Sequence, residues 1–349
     1  MRNLNVMGLV QHRLFWPLAA LIALLVANTI RTTSFLNIRV QDGHLYGALI
    51  DILRNSSPLI LVALGMTLVI ATRGIDLSVG AVVAISGALA CSFLASAPNP
   101  NSIGTVLVAC GIALALSLVL GVWNGFLVSV LGIQPIIATL VLMTAGRGIA
   151  MLITSGQITM IHSTPFKTIG SGFWFGLPAA VLIAGAVFAV VATVTRRTAL
   201  GMLIESVGIN PQASRLAGVQ SRSIIWTVYA AAGVFAGVAG LMISSNIMAA
   251  DANNAGLFIE LDAILAVVIG GTSLAGGKFS LSGTLVGVLV IQTLTLTVTI
   301  LGIPPAVTPL FKAIVIIAVC LMQSPVVRTK LASRRRVPVI APVPAEVAA

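Results

Sequence analysis

The sequence predicts an all-α, polytopic membrane protein of about ten transmembrane helices with both termini in the cytoplasm. Three observations predict it: too few charges to build a water-soluble surface, ten separated apolar runs of spanning length, and basic residues gathered in alternate connecting segments. Hydrophobic residues make up 58% of the chain and charged residues 8%, and the mean hydropathy is +1.12. A soluble domain carries roughly 25% charged residues, so the composition alone places the chain in a membrane.

A helix needs about 20 apolar residues to cross the hydrocarbon core. The runs lie near 14–31, 53–72, 76–97, 103–122, 133–154, 177–195, 224–245, 258–274, 281–301 and 308–324. In the first, Arg2 and Arg13 precede Leu14–Ile30 in the manner of a signal peptide, but Trp16-Pro17 opens the run and no small-x-small cleavage site closes it. It is expected to be a retained helix. Only Arg73-Gly74-Ile75 separates the second run from the third. The eighth ends on Gly270-Gly271, expected to break the helix inside the membrane. This divides the chain into a cytoplasmic segment 1–13, a transmembrane domain 14–324 with a long cytoplasmic loop at 196–222, and a basic, Pro/Ala-rich cytoplasmic tail 325–349 whose end, Val337 to Ala349, is expected to be disordered.

Orientation follows from charge. With the N-terminus inside, the cytoplasmic segments hold Arg2, Arg13, Arg73, Arg196, Arg197, Arg215, Arg222, Lys278, Arg328, Lys330, Arg334, Arg335 and Arg336, which is 13 of the 19 basic residues. Arg31, Arg39, Arg54 and Lys167 fall outside, and Arg147 and Lys312 lie within or beside spans. The positive-inside bias selects N-in and C-in. The same placement accounts for the net charge of +11 without nucleic acid, since no basic patch is interleaved with aromatic residues. Trp174 and Trp226 sit at expected interfaces. Gly121/Gly125, Gly233/Gly237 and Gly283/Gly287 are spaced for close helix packing, within the chain or against a second subunit.

Catalytic and metal readings fail residue by residue. Cys91, Cys110 and Cys320 are scattered in apolar runs, His12, His44 and His162 are far apart, and no metal-ligand spacing occurs. Asp76-Leu77-Ser78-Val79-Gly80 lacks the first glycine of a nucleophile elbow and has no histidine base. Thr272 to Phe279 lacks the first glycine and the final Ser/Thr of a phosphate loop. The chain is expected to bind no cofactor and no ATP of its own.

Three segments remain. In the 196–222 loop, Asn210 suits an N-cap, Pro211 the first helical turn and Gly218 a C′ position with positive φ. They predict a short rigid surface helix, either an ordinary capped loop or a handle for a soluble motor. The turn Thr72 to Ser78 joins two spans with almost no loop, so Asp76 either caps the next helix or marks a re-entrant break along a solute path. Finally, Glu260 and Asp262 stand at a span start, where carboxylates are costly unless paired or wet. Asp251, Asn253 and Asn254 just before them are expected to be external and to meet a periplasmic partner or the solute. Asn124 and Gln134, with Asn246 and Asn253, are the polar residues placed to touch it.

These segments together resemble the ribose-type permeases of bacterial ABC sugar importers. The matching pieces are Gly74 to Gly80, Trp123-Asn124-Gly125, Gln134 to Leu140, Gly208 to Pro211 with Ala213, Arg215 and Gly218, and Leu261 to Ile264 through Gly270-Gly271-Thr272-Ser273-Leu274 to Gly276-Gly277. The resemblance covers about residues 45–324. Val40-Gln41-Asp42-Gly43 and Asp251 to Leu257 look nearest to the galactofuranose branch. Ser206 and Ser214 depart from it, standing where the family often has Ala.

The resemblance implies a multi-pass permease of the bacterial inner membrane that carries a monosaccharide and is not itself an enzyme. It implies a second permease subunit, an ABC ATPase subunit holding ATP and Mg, and a periplasmic sugar-binding protein. Gly208, Asn210, Pro211, Ala213, Arg215, Leu216 and Gly218 would form the coupling helix to the ATPase. Gly74, Asp76, Leu77, Ser78, Asn124, Gln134, Gly270 and Gly271 would line the path or act as hinges. A branched-chain amino-acid permease of the same superfamily is the alternative. An ion-driven secondary transporter would place ionisable residues at mid-membrane, where only Arg147 is a candidate.

Overall fold

The computed structural model describes residues 14–323; the expected cytoplasmic segment 1–13 and basic tail 325–349 lie outside the described residues. Helices account for nearly all the regular structure. In chain order they are α1 (Phe15–Arg31), α2 (Ala48–Ala71), α3 (Val79–Ser96), α4 (Ile103–Ser129), α5 (Pro135–Ile153), α6 (Thr164–Gly170), α7 (Ala179–Arg197), α8 (Ala199–Ile209), α9 (Pro211–Leu216), α10 (Ser221–Ile247), α11 (Ile259–Ile269), α12 (Leu281–Ile300) and α13 (Thr308–Gln323).

Among the described residues, seven helices are long and apolar enough to cross a membrane: α2, α3, α4, α5, α7, α10 and α12. The other three expected spans are shorter, with 17 residues in α1, 11 in α11 and 16 in α13. The case of α11 has a local cause. The segment before it is turn rather than helix, with Phe258 at φ +62°, and Gly271 at φ +84° ends it. The second expected span begins earlier than its apolar run, at Ala48. The third begins later, at Val79, because Asp76 is irregular chain and Leu77-Ser78 a turn.

At the centre, α2 is buried along nearly all of Leu59–Ala71 and packs on α7, α10, α11 and α12. α10 crosses it and also packs on α3 and α4. Glycines set these crossings. A Cβ on Gly121 would come within 2.6 Å of the Tyr229 carbonyl oxygen, and one on Gly233 within 2.5 Å of the Ser117 carbonyl oxygen, so α4 and α10 meet backbone to backbone. Gly283 packs in the same way on Gly270. The glycine pairs read from the sequence therefore pack helices of one chain against each other, as small residues do where no water-driven term pulls helices together.

One end of the bundle carries three small antiparallel strand pairs. β1 (Arg39–Gln41) pairs β2 (His44–Tyr46), β3 (Thr159–Met160) pairs β6 (Ala249–Ala250), and β4 (Phe173–Trp174) pairs β5 (Leu177–Pro178). The Leu45 amide donates to the Gly176 carbonyl at 2.9 Å, and the His44 and Phe173 rings stack at 4.6 Å, which docks the first hairpin on the third. The opposite end carries α8, α9 and the turns 72–78 and 270–280.

Candidate functional site

The short helix α9 is built as its sequence predicts. The Asn210 side-chain oxygen accepts from the Gln212 and Ala213 amides, both at 3.0 Å, satisfying donors that a helix start leaves free. Pro211 follows at the first position. At the other end Gly218, at φ +87°, lets the Val219 amide return to the Ser214 carbonyl at 2.9 Å. The Ser221 hydroxyl donates to the Pro211 carbonyl at 3.0 Å and ties the helix to the start of α10. Leu216 projects from this rigid turn 92% exposed, while Arg215 is exposed beside it and Ala213 carries the cap bond.

Immediately upstream, α8 meets two other segments. Gly208 lies against the backbone of Ala71, at the end of α2, and against the Gly277 amide, leaving no room for a side chain. The Gly277 amide donates to the Ala71 carbonyl at 2.9 Å. Arg73 crosses the same junction: its Nε donates to the Ala275 carbonyl at 3.1 Å and its Nη2 to the Ile209 carbonyl. Arg73 holds φ +66°, a conformation usual for glycine after a helix, and its side chain is anchored at both ends of the contact. From charge alone Arg73 is only an orienting residue. Its place in a three-residue turn between two spans was the signal that it had a structural task.

Past Arg73 the chain turns into a buried polar knot. Asp76, 2% exposed, accepts from the Ser78 amide at 2.9 Å and from the Ser78 hydroxyl at 2.6 Å. Asn124 of α4 donates to that hydroxyl at 2.8 Å. Thr139 of α5 accepts from the Leu77 amide at 3.1 Å and donates to the Ile75 carbonyl at 3.2 Å. Gly74 lies against the buried Tyr229 ring. The consecutive Asp76, Leu77 and Ser78, with Asn124 and Thr139 from distant parts of the sequence, are thus one network that joins α3, α4 and α5. Gln134 stays out of it: the residue is exposed at the N-cap position of α5 and its side chain makes no capping bond. Gly270 and Gly271 lie apart as well, at the α11–α12 turn.

On the other side of α11, Asp251 accepts from the Asn253 amide at 3.0 Å, the Asn254 amide at 3.1 Å and the Asn254 side chain at 2.7 Å. Those bonds, the side-chain amide first, hold the Asp251 carboxyl below the usual carboxylate range. Arg147 reaches this segment from α5, donating to the Ala252 carbonyl at 3.0 Å and the Ala255 carbonyl at 2.7 Å. Asp262 pairs with Lys312 of α13 at 2.8 Å, and Glu260 is buried against Gly80. A carboxylate at a span start is thereby paired in one case and enclosed in the other.

Mechanically, an exposed capped helix is joined through Gly208, Arg73 and Gly277 to the ends of α2 and α11 and onward to the knot at the start of α3.

The family described as "Branched-chain amino acid transport system / permease component" matches residues 48–320. The galactofuranose transporter permease YtfT of Escherichia coli (strain K12) is 46% identical over 319 residues, covering 90% of this chain and 92% of that protein. The fructose import permease FruF of Bifidobacterium longum (strain NCC 2705) is 43% identical over 340 residues, covering 96% and 94%. The ribose import permease RbsC of Escherichia coli (strain K12) is 38% identical over 309 residues, covering 87% and 92%. No solved structure matches. With a match across most of its length and relatives of this identity, the chain belongs to the branched-chain amino acid transport system permease-component family.

Proposed function

We propose that this chain is the membrane-spanning permease subunit of a bacterial ABC sugar importer, carrying a monosaccharide such as galactofuranose or another pentose or hexose. The observation that carries the reading is that three relatives matched over at least 87% of this chain are all named as sugar permeases. None of those names speaks for an amino acid or for ion-driven transport.

In this reading the protein sits in the inner membrane, surrounded by lipid, with ten membrane passages. α1, α11 and α13 complete the seven long spans. N-in and C-in orientation is supported by the basic residues around α8 and α9. α9 meets an ATPase subunit that holds ATP and Mg. The opposite end, with Asp251, Asn253 and Asn254, faces a periplasmic sugar-binding protein, and a second permease subunit completes the membrane part. Gly74, Asp76, Ser78 and Asn124 act as a hinge between α2 and α3, and Gly270 and Gly271 as its counterpart between α11 and α12. A ligand or nucleotide shifts a conformational equilibrium only by its differential affinity for the two states; here the ATPase supplies that difference through α9.

Reconstitution in proteoliposomes tests the function. Uptake of a labelled monosaccharide should require ATP, the ATPase subunit and the binding protein together. Uptake by this chain alone, or uptake driven by an ion gradient, overturns the reading.

A further inference from the structure

A cavity of about 360 Å³ lies between α2, α10, α11 and α12. Its polar lining comes from four places: Asn55 on α2, Asp251 and Asn254 in the segment after β6, Asp262 in the first turn of α11, and Gln292 on α12. Pro58, Leu59, Ile243 and Leu257 supply aliphatic walls. A smaller cavity of about 140 Å³ shares Asn55 and Pro58 and adds Arg54 and Asn246, extending the space toward α6.

The chemistry of the lining is selective. Gln292 stands eleven residues into α12, roughly 16 Å along its axis at 1.5 Å per residue, near the middle of an apolar span. Its amide has no hydrogen-bond partner among the described residues. A polar group at such depth is costly unless something bonds it. Both carboxylates are already compensated, Asp262 by Lys312 at 2.8 Å and Asp251 by three N–H donors. The lining therefore offers amide donors and spare acceptor lone pairs rather than an uncompensated negative charge. It suits a neutral solute with many hydroxyls and a compact aliphatic face, and the volume falls in the range of small-ligand sites, about 300–1,000 Å³. α11 begins only at Ile259 and presents its first turn to the space, as discontinuous helices do around transported solutes. Arg147, by gripping the Ala252 and Ala255 carbonyls, fixes one wall of the cavity to α5.

We propose that this cavity is a sugar-binding subsite inside the single permease chain, with Gln292, Asn55 and Asn254 bonding the solute's hydroxyls. It rests on the sugar-importer reading above. The test uses the full chain in nanodiscs, with Cys91, Cys110 and Cys320 replaced by Ser or Ala and Leu257→Cys as the reporter. Labelling by a water-soluble maleimide is followed with D-fructose, D-ribose or D-galactose, and with choline chloride at equal osmolarity. Only the empty fraction reacts, so a sugar at about twice its Kd should slow labelling about threefold, and choline should not. Gln292→Leu in the same background should abolish the protection. Absence of protection by all three sugars, or equal protection by choline, overturns the subsite. The importer reading is tested separately by ATP-dependent uptake. Protection without uptake sinks that reading and leaves the subsite; uptake without protection does the reverse.

Discussion

The Gly277 amide donates to the Ala71 carbonyl at 2.9 Å, and Gly208 is wedged against the same carbonyl. Three segments far apart in sequence converge on one peptide group at the end of α2. That point tolerates no added volume, and in the importer reading it is the route by which α9 acts on the bundle. Gly208→Val should force the segments apart, with overpacking costing about 1–3 kcal/mol. The variant should insert in the membrane with a lower melting temperature in detergent, and ATP-driven uptake should fall further than stability alone explains. Uptake at the wild-type rate would remove Gly208 from the coupling route.

Asn210 is the cap on which α9 depends. Asn210→Ala should destabilise the helix by about 1 kcal/mol, and Asn210→Asp or Asn210→Ser should restore it. Combined with Arg215→Ala, the alanine variant should still insert but lose most ATP-driven uptake. Normal uptake by the double variant would show that α9 does not couple the ATPase to the bundle.

The Lys312–Asp262 pair is a different kind of contact, partly buried and electrostatic. Lys312→Met leaves the carboxylate unpaired beside the cavity and should destabilise the protein by about 1 kcal/mol, between the exposed and the fully buried cases. Adding Asp262→Leu should recover a large part of the loss, because both charges then go. A melting series in detergent on the two single variants and the double variant measures the coupling.

Gly233→Leu should disrupt the α4–α10 crossing, where a Cβ already meets the Ser117 carbonyl oxygen and the Gly121 backbone. The expected result is a large loss of folded protein, by fluorescence-detected size exclusion, whether or not a second permease is coexpressed. Rescue by a partner subunit would mean that the glycine surface belongs to an intermolecular contact.

Asp251 has a depressed pKa in the folded state, held down by the Asn254 side chain first and then by backbone amides. A depressed carboxylate adds stability above its unfolded pKa of about 3.9, and that stability is lost as pH falls through the folded pKa. Wild type should therefore lose melting temperature between about pH 5 and pH 3, while Asp251→Asn starts lower and loses less across the same interval. Equal slopes in the two proteins would contradict the assignment.

Most of the α9 unit was legible because it is local: cap, proline, turn and C′ glycine lie within nine consecutive residues, so their order in sequence is their order in space. The knot was half legible. Asp76 and Ser78 are neighbours and suggest a capped turn, but Asn124 comes from another helix, and no periodicity says that the two meet. The bonds of Arg73 are illegible for the same reason. A basic residue between spans fits the positive-inside rule whether its side chain is in water or bonded to two distant carbonyls.

By itself the sequence determined that the chain is polytopic, where α9 begins and ends, and where α11 breaks. These follow from hydropathy, charge and backbone preferences that act over a few residues. Only the tertiary structure decided that the paired glycines join α4 to α10 and α11 to α12, that Arg73, Gly208 and Gly277 form one junction, and that Asn55, Asn254, Asp262 and Gln292 face a common cavity. The physical reason is that apolar spans are nearly interchangeable in composition. Which faces meet is fixed by small residues and rare polar groups finding partners across the bundle, and those pairings lie 46 to 202 residues apart.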